Sequence, residues 1–221
     1  YHYTPKNELL KVFRYDVTKP DGLPPGNLLH TVYKDNQNLL WVGTAAGGLC
    51  KMNLKLGLFG LIRKEKNESE TIAGNLIRAV FEESDGIVWT GSFGEGLTRI
   101  DLKNKEFKYF LTKPKNAKRS IQSDPSAILI DSRNRLWVGS WTTGVYLFED
   151  VSKLADKKIV NPEFSNFQIH TNGIIQDIFE DSKGRIWFGT ALGLSVFNED
   201  TKKFNNYPAN QKDIHSLGDN R

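Results

Sequence analysis

The chain holds one cysteine, Cys50, so no intrachain disulfide can form, and its four scattered histidines have no zinc-ligand spacing. Long apolar runs are missing as well. The longest stretch without any charged, amide, imidazole, Ser or Thr side chain, Leu56 to Ile62, falls far short of the roughly 20 residues that span a bilayer. No signal-peptide pattern opens the sequence. Helical periodicity is absent, since no stretch keeps apolar residues three and four apart over more than two turns. Excess charge is confined to one place. Lysine and arginine number 30 against 26 acids, a net charge of +4, and Lys113, Lys115, Lys118 and Arg119 account for the whole of it. That distribution excludes a generally basic nucleic-acid-binding surface. With 38% hydrophobic and 25% charged residues, 221 residues make one large all-β domain or two smaller ones.

What is present is regular. Trp41, Trp89, Trp137 and Trp187 lie 48, 48 and 50 residues apart, a period that marks repeat architecture. One string surrounds each of them, running Asp35 to Thr44, Glu83 to Ser92, Asp131 to Ser140 and Asp181 to Thr190. It reads acid, two variable residues, Gly or Asn, one variable, aliphatic, Trp, one variable, Gly, then Thr or Ser.

Each part of the string has a mechanical meaning. A short apolar run precedes the acid and the Trp segment follows it, so the two form a β-hairpin. Asn38, Gly86, Asn134 and Gly184 are the residue types that tolerate the left-handed backbone of such a turn. The acid at the first turn position accepts hydrogen bonds from the turn's own amides. A glycine-bounded second turn leads to a third strand, and a polar turn leads to a fourth. Four short antiparallel strands per repeat make the blade of a β-propeller, whereas a parallel β-helix has much shorter rungs. The expectation is an all-β propeller of about 48 residues per blade, an incomplete portion of a larger one. Residues 1–15 end a preceding blade; 16–63, 64–111, 112–169 and 170–207 are blades; 208–221 lead toward a further one. The third repeat carries an insertion, Val151 to Glu163, between its last two strands.

The Gly-His and Trp-Asp dipeptides of the forty-residue WD type are absent. The Asp-box of sialidase-like propellers has its Asp one place earlier than Asp85. By contrast, the string from Glu180 to Phe204, with the connector Ala209 to Asn220 that includes Ser216-Leu217, resembles the two-component regulator propeller repeat. This resemblance implies the periplasmic ectodomain of a membrane-anchored, hybrid two-component sensor histidine kinase. It implies an oligosaccharide ligand, further blades and domains in the parent chain, a homodimeric ectodomain, and signalling to transcriptional control of polysaccharide use. No cofactor, metal or nucleic acid is expected for this segment.

No catalytic pattern stands out in the sequence. Gly91 to Thr98 approaches a phosphate loop but lacks its lysine, and the same glycine spacing recurs in two other repeats, as a structural turn would. Positions that differ between repeats are more informative, because the scaffold does not fix them. Directly after the string stand Ala45, Phe93, Trp141 and Ala191. Phe93 and Trp141 are candidate platforms for a sugar ring, with packing between blades as the alternative. At the start of the innermost strand the aligned residues are His30, Arg78, Ser126 and Gln176, all polar, either facing the channel mouth or ending a solvated strand. Glu95, Thr142 and Thr143 share the loop of the aromatics, and Lys115 and Arg119 belong to a basic connector placed on the same face. His30 and Arg78 are also the candidates for a rival reading, a propeller lyase or glycoside hydrolase. A protein-interaction scaffold is the other rival.

Overall fold

A computed structural model describes residues 2–3, 9–11, 23, 28–53, 58–65, 71–111, 124–155, 163–169 and 174–208. Strands β1 (His2–Tyr3) and β2 (Leu9–Lys11) pair antiparallel as a two-stranded sheet. Four meandering four-stranded sheets follow. Blade one is β3 (Leu29–Lys34), β4 (Leu39–Thr44), β5 (Leu49–Asn53) and β6 (Leu58–Ile62). Blade two is β7 (Ile77–Ser84), β8 (Ile87–Ser92), β9 (Gly96–Asp101) and β10 (Glu106–Phe110). Blade three is β11 (Pro125–Ile130), β12 (Leu136–Ser140), β13 (Val145–Phe148) and, after the short helix α1 (Val151–Ala155), β14 (Ser165–Phe167). Blade four is β15 (Ile175–Glu180), β16 (Ile186–Thr190), β17 (Gly193–Asn198) and β18 (Lys203–Tyr207). The fold is a β-propeller, as the repeat string predicts.

The string is a hydrogen-bonding device. In blade three the Asp131 carboxylate accepts from the Arg133 and Arg135 amides at one oxygen and from Trp137 Nε1, 2.8 Å away, at the other. Asp35 does the same for Gln37, Leu39 and Trp41, and Asp181 for Lys183, Arg185 and Trp187. One acid therefore closes the turn and satisfies the indole N–H carried into the core. Blade two departs from this. Its turn is the tighter Asp85-Gly86, an extra residue stands between Glu82 and Ser84, and the longer Glu83 reaches Trp89 Nε1 and Arg99 instead. Asn38, Gly86, Asn134 and Gly184 all have positive φ, from 62° to 83°.

Trp41, Trp89 and Trp137 are each buried between their own blade and the next. Trp41 packs with Ile72, Ile77 and Val88; Trp89 with Ile128, Leu136 and Phe148; Trp137 with Ile175, Ile178 and Phe188. All three are fully buried. The glycine two residues beyond each tryptophan permits this approach. A Cβ on Gly139 would lie 2.3 Å from Ile175 Cγ2, and one on Gly43 would lie 2.8 Å from Ile77 Cγ2. Ion pairs reinforce the blade three to four contact. Glu199 receives Arg133 and both terminal nitrogens of Arg135, and Arg135 also bonds Asp131. These partners hold the Glu199 carboxyl down at about 2, against the opposing effect of its burial.

One sequence-based expectation needs correction. The chain is not free of helix: the insertion in repeat three opens with α1, whose Val151 and Leu154 are buried in the core between blades two and three. Trp187 is only half buried, unlike the other three. No described blade covers its face, where Phe179 is 63% exposed and a hypothetical Gly189 Cβ would meet nothing closer than 3.8 Å.

Candidate functional site

The innermost strands β3, β7, β11 and β15 stand side by side and share a cavity of about 480 Å³. Each begins with the same irregularity. Leu29 pairs with Thr44 and Thr31 with Gly43, so His30 is an extra residue without a partner across the strand. Arg78, Ser126 and Gln176 are the extra residues of their own strands in the same way. A bulge of this kind kinks the strand and re-aims one side chain. Here it turns a polar residue of each blade toward the cavity, and all four line it.

The two loop aromatics meet at this opening. The backbone N–H that holds the loop is the same in every blade: Ala45 donates to Leu28, Phe93 to Leu76, Trp141 to Asp124 and Ala191 to Ile174. Only the side chain varies. Phe93 and Trp141 form an edge-on pair with ring centres 6.3 Å apart. Arg78 lies against both, its Cζ 3.8 Å from the Trp141 ring centre and 4.8 Å from that of Phe93. Each aromatic keeps 38% exposure. Asp124, buried beneath them, accepts from the Gly94 amide at 2.8 Å and from Thr142 Oγ1 at 3.4 Å, and so ties the blade two loop to the blade three loop.

The cavity electrostatics are mixed. Burial and the nearby Arg78 charge both depress the His30 pKa below its ordinary value, which leaves a neutral imidazole at pH 7. Burial lowers the Arg78 pKa, opposed by the Asp124 charge. An arginine remains cationic through such a shift. Asp177 lines the cavity from blade four, and Ser126 donates to the Ile175 carbonyl of the neighbouring strand.

The structure thus brings His30, Arg78, Gln176 and Trp141 to one cavity, with Phe93 against Arg78. It does not bring Glu95 or Thr143 there. Glu95 faces Lys64, 3.6 Å away at the surface. The Thr143 hydroxyl lies between Ser140 Oγ and the Tyr146 hydroxyl. Thr142 stands at the rim through Asp124. Lys115 and Arg119 lie outside the described residues. Sequence reasoning passed over Asp124 and Asp177. For Asp177 a signal existed, since the aligned residues are Thr31, Ala79 and Ala127. Among the described residues no three His, Cys, Asp or Glu side chains form a metal-binding group, and no helix is long and apolar enough to cross a membrane.

Residues 169–191 match the family described as Two component regulator propeller. The fourth repeat is therefore a repeat of that kind, as its string indicates. Among curated proteins none matches the sequence. Two extracellular domains assigned to hybrid two component systems of B. thetaiotaomicron share the fold at 20% identity. Their TM-scores are 0.68 and 0.71, with 87% and 88% of this chain covered. This chain spans 24% and 25% of their lengths, so it corresponds to about a quarter of each. Virginiamycin B lyase from Staphylococcus aureus is similar at 17% identity and a TM-score of 0.60, over 93% of this chain and 61% of the enzyme. Identities this low speak for the fold.

Proposed function

We propose that this segment belongs to the periplasmic ectodomain of a membrane-anchored hybrid two-component sensor histidine kinase and binds an oligosaccharide at the mouth of its propeller channel. The observation that carries the reading is the set of four bulges. Every blade spends one unpaired strand residue on the cavity, and in every blade it is polar, although the strand beyond it is mainly apolar. Polar groups ringed around an opening, with aromatic surface at its edge, suit a ligand with many hydroxyls and apolar C–H faces. The regulator-propeller match of the fourth repeat supports the sensor context. In that context further blades of the parent chain cover the Trp187 face, and a ligand that prefers one arrangement of a dimeric ectodomain shifts the balance passed to the kinase.

The similarity to a lyase keeps an enzymatic alternative in view. Among the described residues Asp177 is the single carboxylate lining the cavity, and His30, which lines it too, has its pKa lowered by burial and by the Arg78 charge. Paired acids for glycoside hydrolysis are therefore not assembled among the described residues. We read the segment as a receptor.

Calorimetric titration of the full chain against an array of oligosaccharides tests this. For the best binder, Trp141→Ala should weaken affinity about thirtyfold, the loss typical of a central aromatic contact, and melting should change little. Repeats one and four hold alanine at this position, so the blade does not need the ring. Unchanged affinity with a large fall in melting temperature would make Trp141 a packing residue and move the site. Breakdown of any oligosaccharide during titration would favour the lyase or hydrolase reading.

A further inference from the structure

Arg78 differs from the other arginines near the blade junctions in what holds it. Other arginines at the blade junctions are engaged: Arg99 with Glu83, Arg133 and Arg135 with Glu199, Arg185 with Asp181. Arg78 has no acid within ion-pairing distance among the described residues, and its buried Nε has no hydrogen-bond partner. A buried donor left unpaired is costly, because its hydration is lost with nothing in return. Native structures seldom carry one without a use.

The surroundings fix the guanidinium without satisfying it. Trp141 and Phe93 hold it by stacking, which restrains the plane and leaves the in-plane N–H groups unspent. The nearest counter-charge, Asp124, already accepts from the Gly94 amide and from Thr142. The neighbouring His30 is held neutral in part by the Arg78 charge, so it adds a hydrogen-bonding group and no second cation. A fork of donors, immobilised beforehand and missing its acceptor, matches a planar or tetrahedral oxyanion bound through two oxygens.

We infer that the ligand is an acidic glycan, whose carboxylate or sulfate is received by Arg78 between the Trp141 and Phe93 rings. This rests on the carbohydrate reading above and adds the charge and the orientation. The anionic group lies on the side of blades two and three. Asp177, on blade four, repels it and accepts from sugar hydroxyls instead, as does the Gln176 amide beside it. Trp141 then has two tasks, to present apolar surface and to position Arg78. This explains why bulky rings occur at the loops of blades two and three, which flank the arginine, and alanine at the others.

The test uses the full chain and an array of neutral, uronate-bearing and sulfated oligosaccharides, with the methyl esters of the uronates as matched neutral controls. The expected result is preference for acidic members. Arg78→Gln should reduce their affinity on the order of tenfold to a hundredfold and that of the esters by severalfold at most, so that the acid-to-ester preference collapses. Arg78→Lys keeps the charge without the fork and should fall between. Because the readout is the ratio of acid to ester, a general loosening of the fold in either variant would not imitate it. Strong binding of uronates over sulfates assigns the carboxylate, and the reverse assigns the sulfate. If neutral oligosaccharides bind best and Arg78→Gln leaves them unaffected, the anion assignment fails and the carbohydrate reading stands. If no member of the array binds, both fall.

Discussion

Asp131→Asn isolates the device on which each blade is built. The substitution keeps size and shape and removes only charge and two lone-pair positions. In the native protein one carboxylate oxygen accepts from the Arg133 and Arg135 amides at 3.0 and 2.9 Å. The other accepts from Trp137 Nε1 at 2.8 Å and Arg135 Nε at 2.7 Å. An asparagine has one acceptor end and one donor end. Whichever way it turns, a pair of N–H groups faces an NH2, and the pair at the indole side is buried. The Asp131 side chain has no solvent exposure and the Arg135 side chain only 7%. Breaking a buried ion pair of this kind costs about 3–5 kcal/mol. Arg135 keeps Glu199, so the lower end applies, about 3 kcal/mol. For a protein of this size that is a fall in melting temperature of about 6–12 °C. Asp181→Asn makes the same chemical change where the Arg185 side chain is 53% exposed and Trp187 half buried. Water replaces the lost partners there, and a clearly smaller loss is expected. Thermal melts followed by tryptophan fluorescence, with urea titrations for the free energies, give both numbers. Equal losses for the two variants would refute the view that burial of the acid–indole–arginine cluster sets the cost.

The interblade glycines make a second comparison. Gly139→Ala should destabilise by about 1–3 kcal/mol, because its methyl group would overlap Ile175, while Gly189→Ala should be near neutral in chemical denaturation. Thr90 offers a gain. Its hydroxyl is fully buried and has no partner among the described residues where repeats one and three carry Val42 and Val138, so Thr90→Val should stabilise by about 1 kcal/mol, and a loss on melting would show that the hydroxyl is in use.

The fold was legible because its rules are local and repeated. The acid, the left-handed turn residue, the indole and the glycine all act within a few residues of one another, and each occurs four times, so chance agreement cancels. What escaped was whatever depends on a neighbouring blade. Helix α1 is five residues long, too short to carry periodicity, and is held by its tertiary contacts through Val151 and Leu154. Trp187 has the same string as the other tryptophans, and its partial exposure depends on what packs beyond it. At the site, aligning the repeats identified His30, Arg78, Ser126 and Gln176 as unusual but gave no reason for their common direction. The reason is the shift of one residue in the pairing of β3, β7, β11 and β15, which only the strand register reveals. The Arg78–Trp141 contact joins two blades across 63 positions of sequence and had no local sign.

That shift of register has a consequence for how such a protein can change. A residue that faces no partner across the ladder contributes little to holding the strands together, and its replacement leaves the pairs on either side of it where they were. The scaffold's demands and the ligand's demands therefore fall on different residues of the same strand. Ile77, Pro125 and Ile175 are buried and keep the blade closed, while the next residue in each strand stands outside the ladder, with only Ser126 adding a bond to a neighbouring strand through the Ile175 carbonyl. Four such positions, one per blade, form a set that can be varied in combination on an unchanged framework. A library randomised at His30, Arg78, Ser126 and Gln176 alone should remain folded across most of its members and differ chiefly in what it binds.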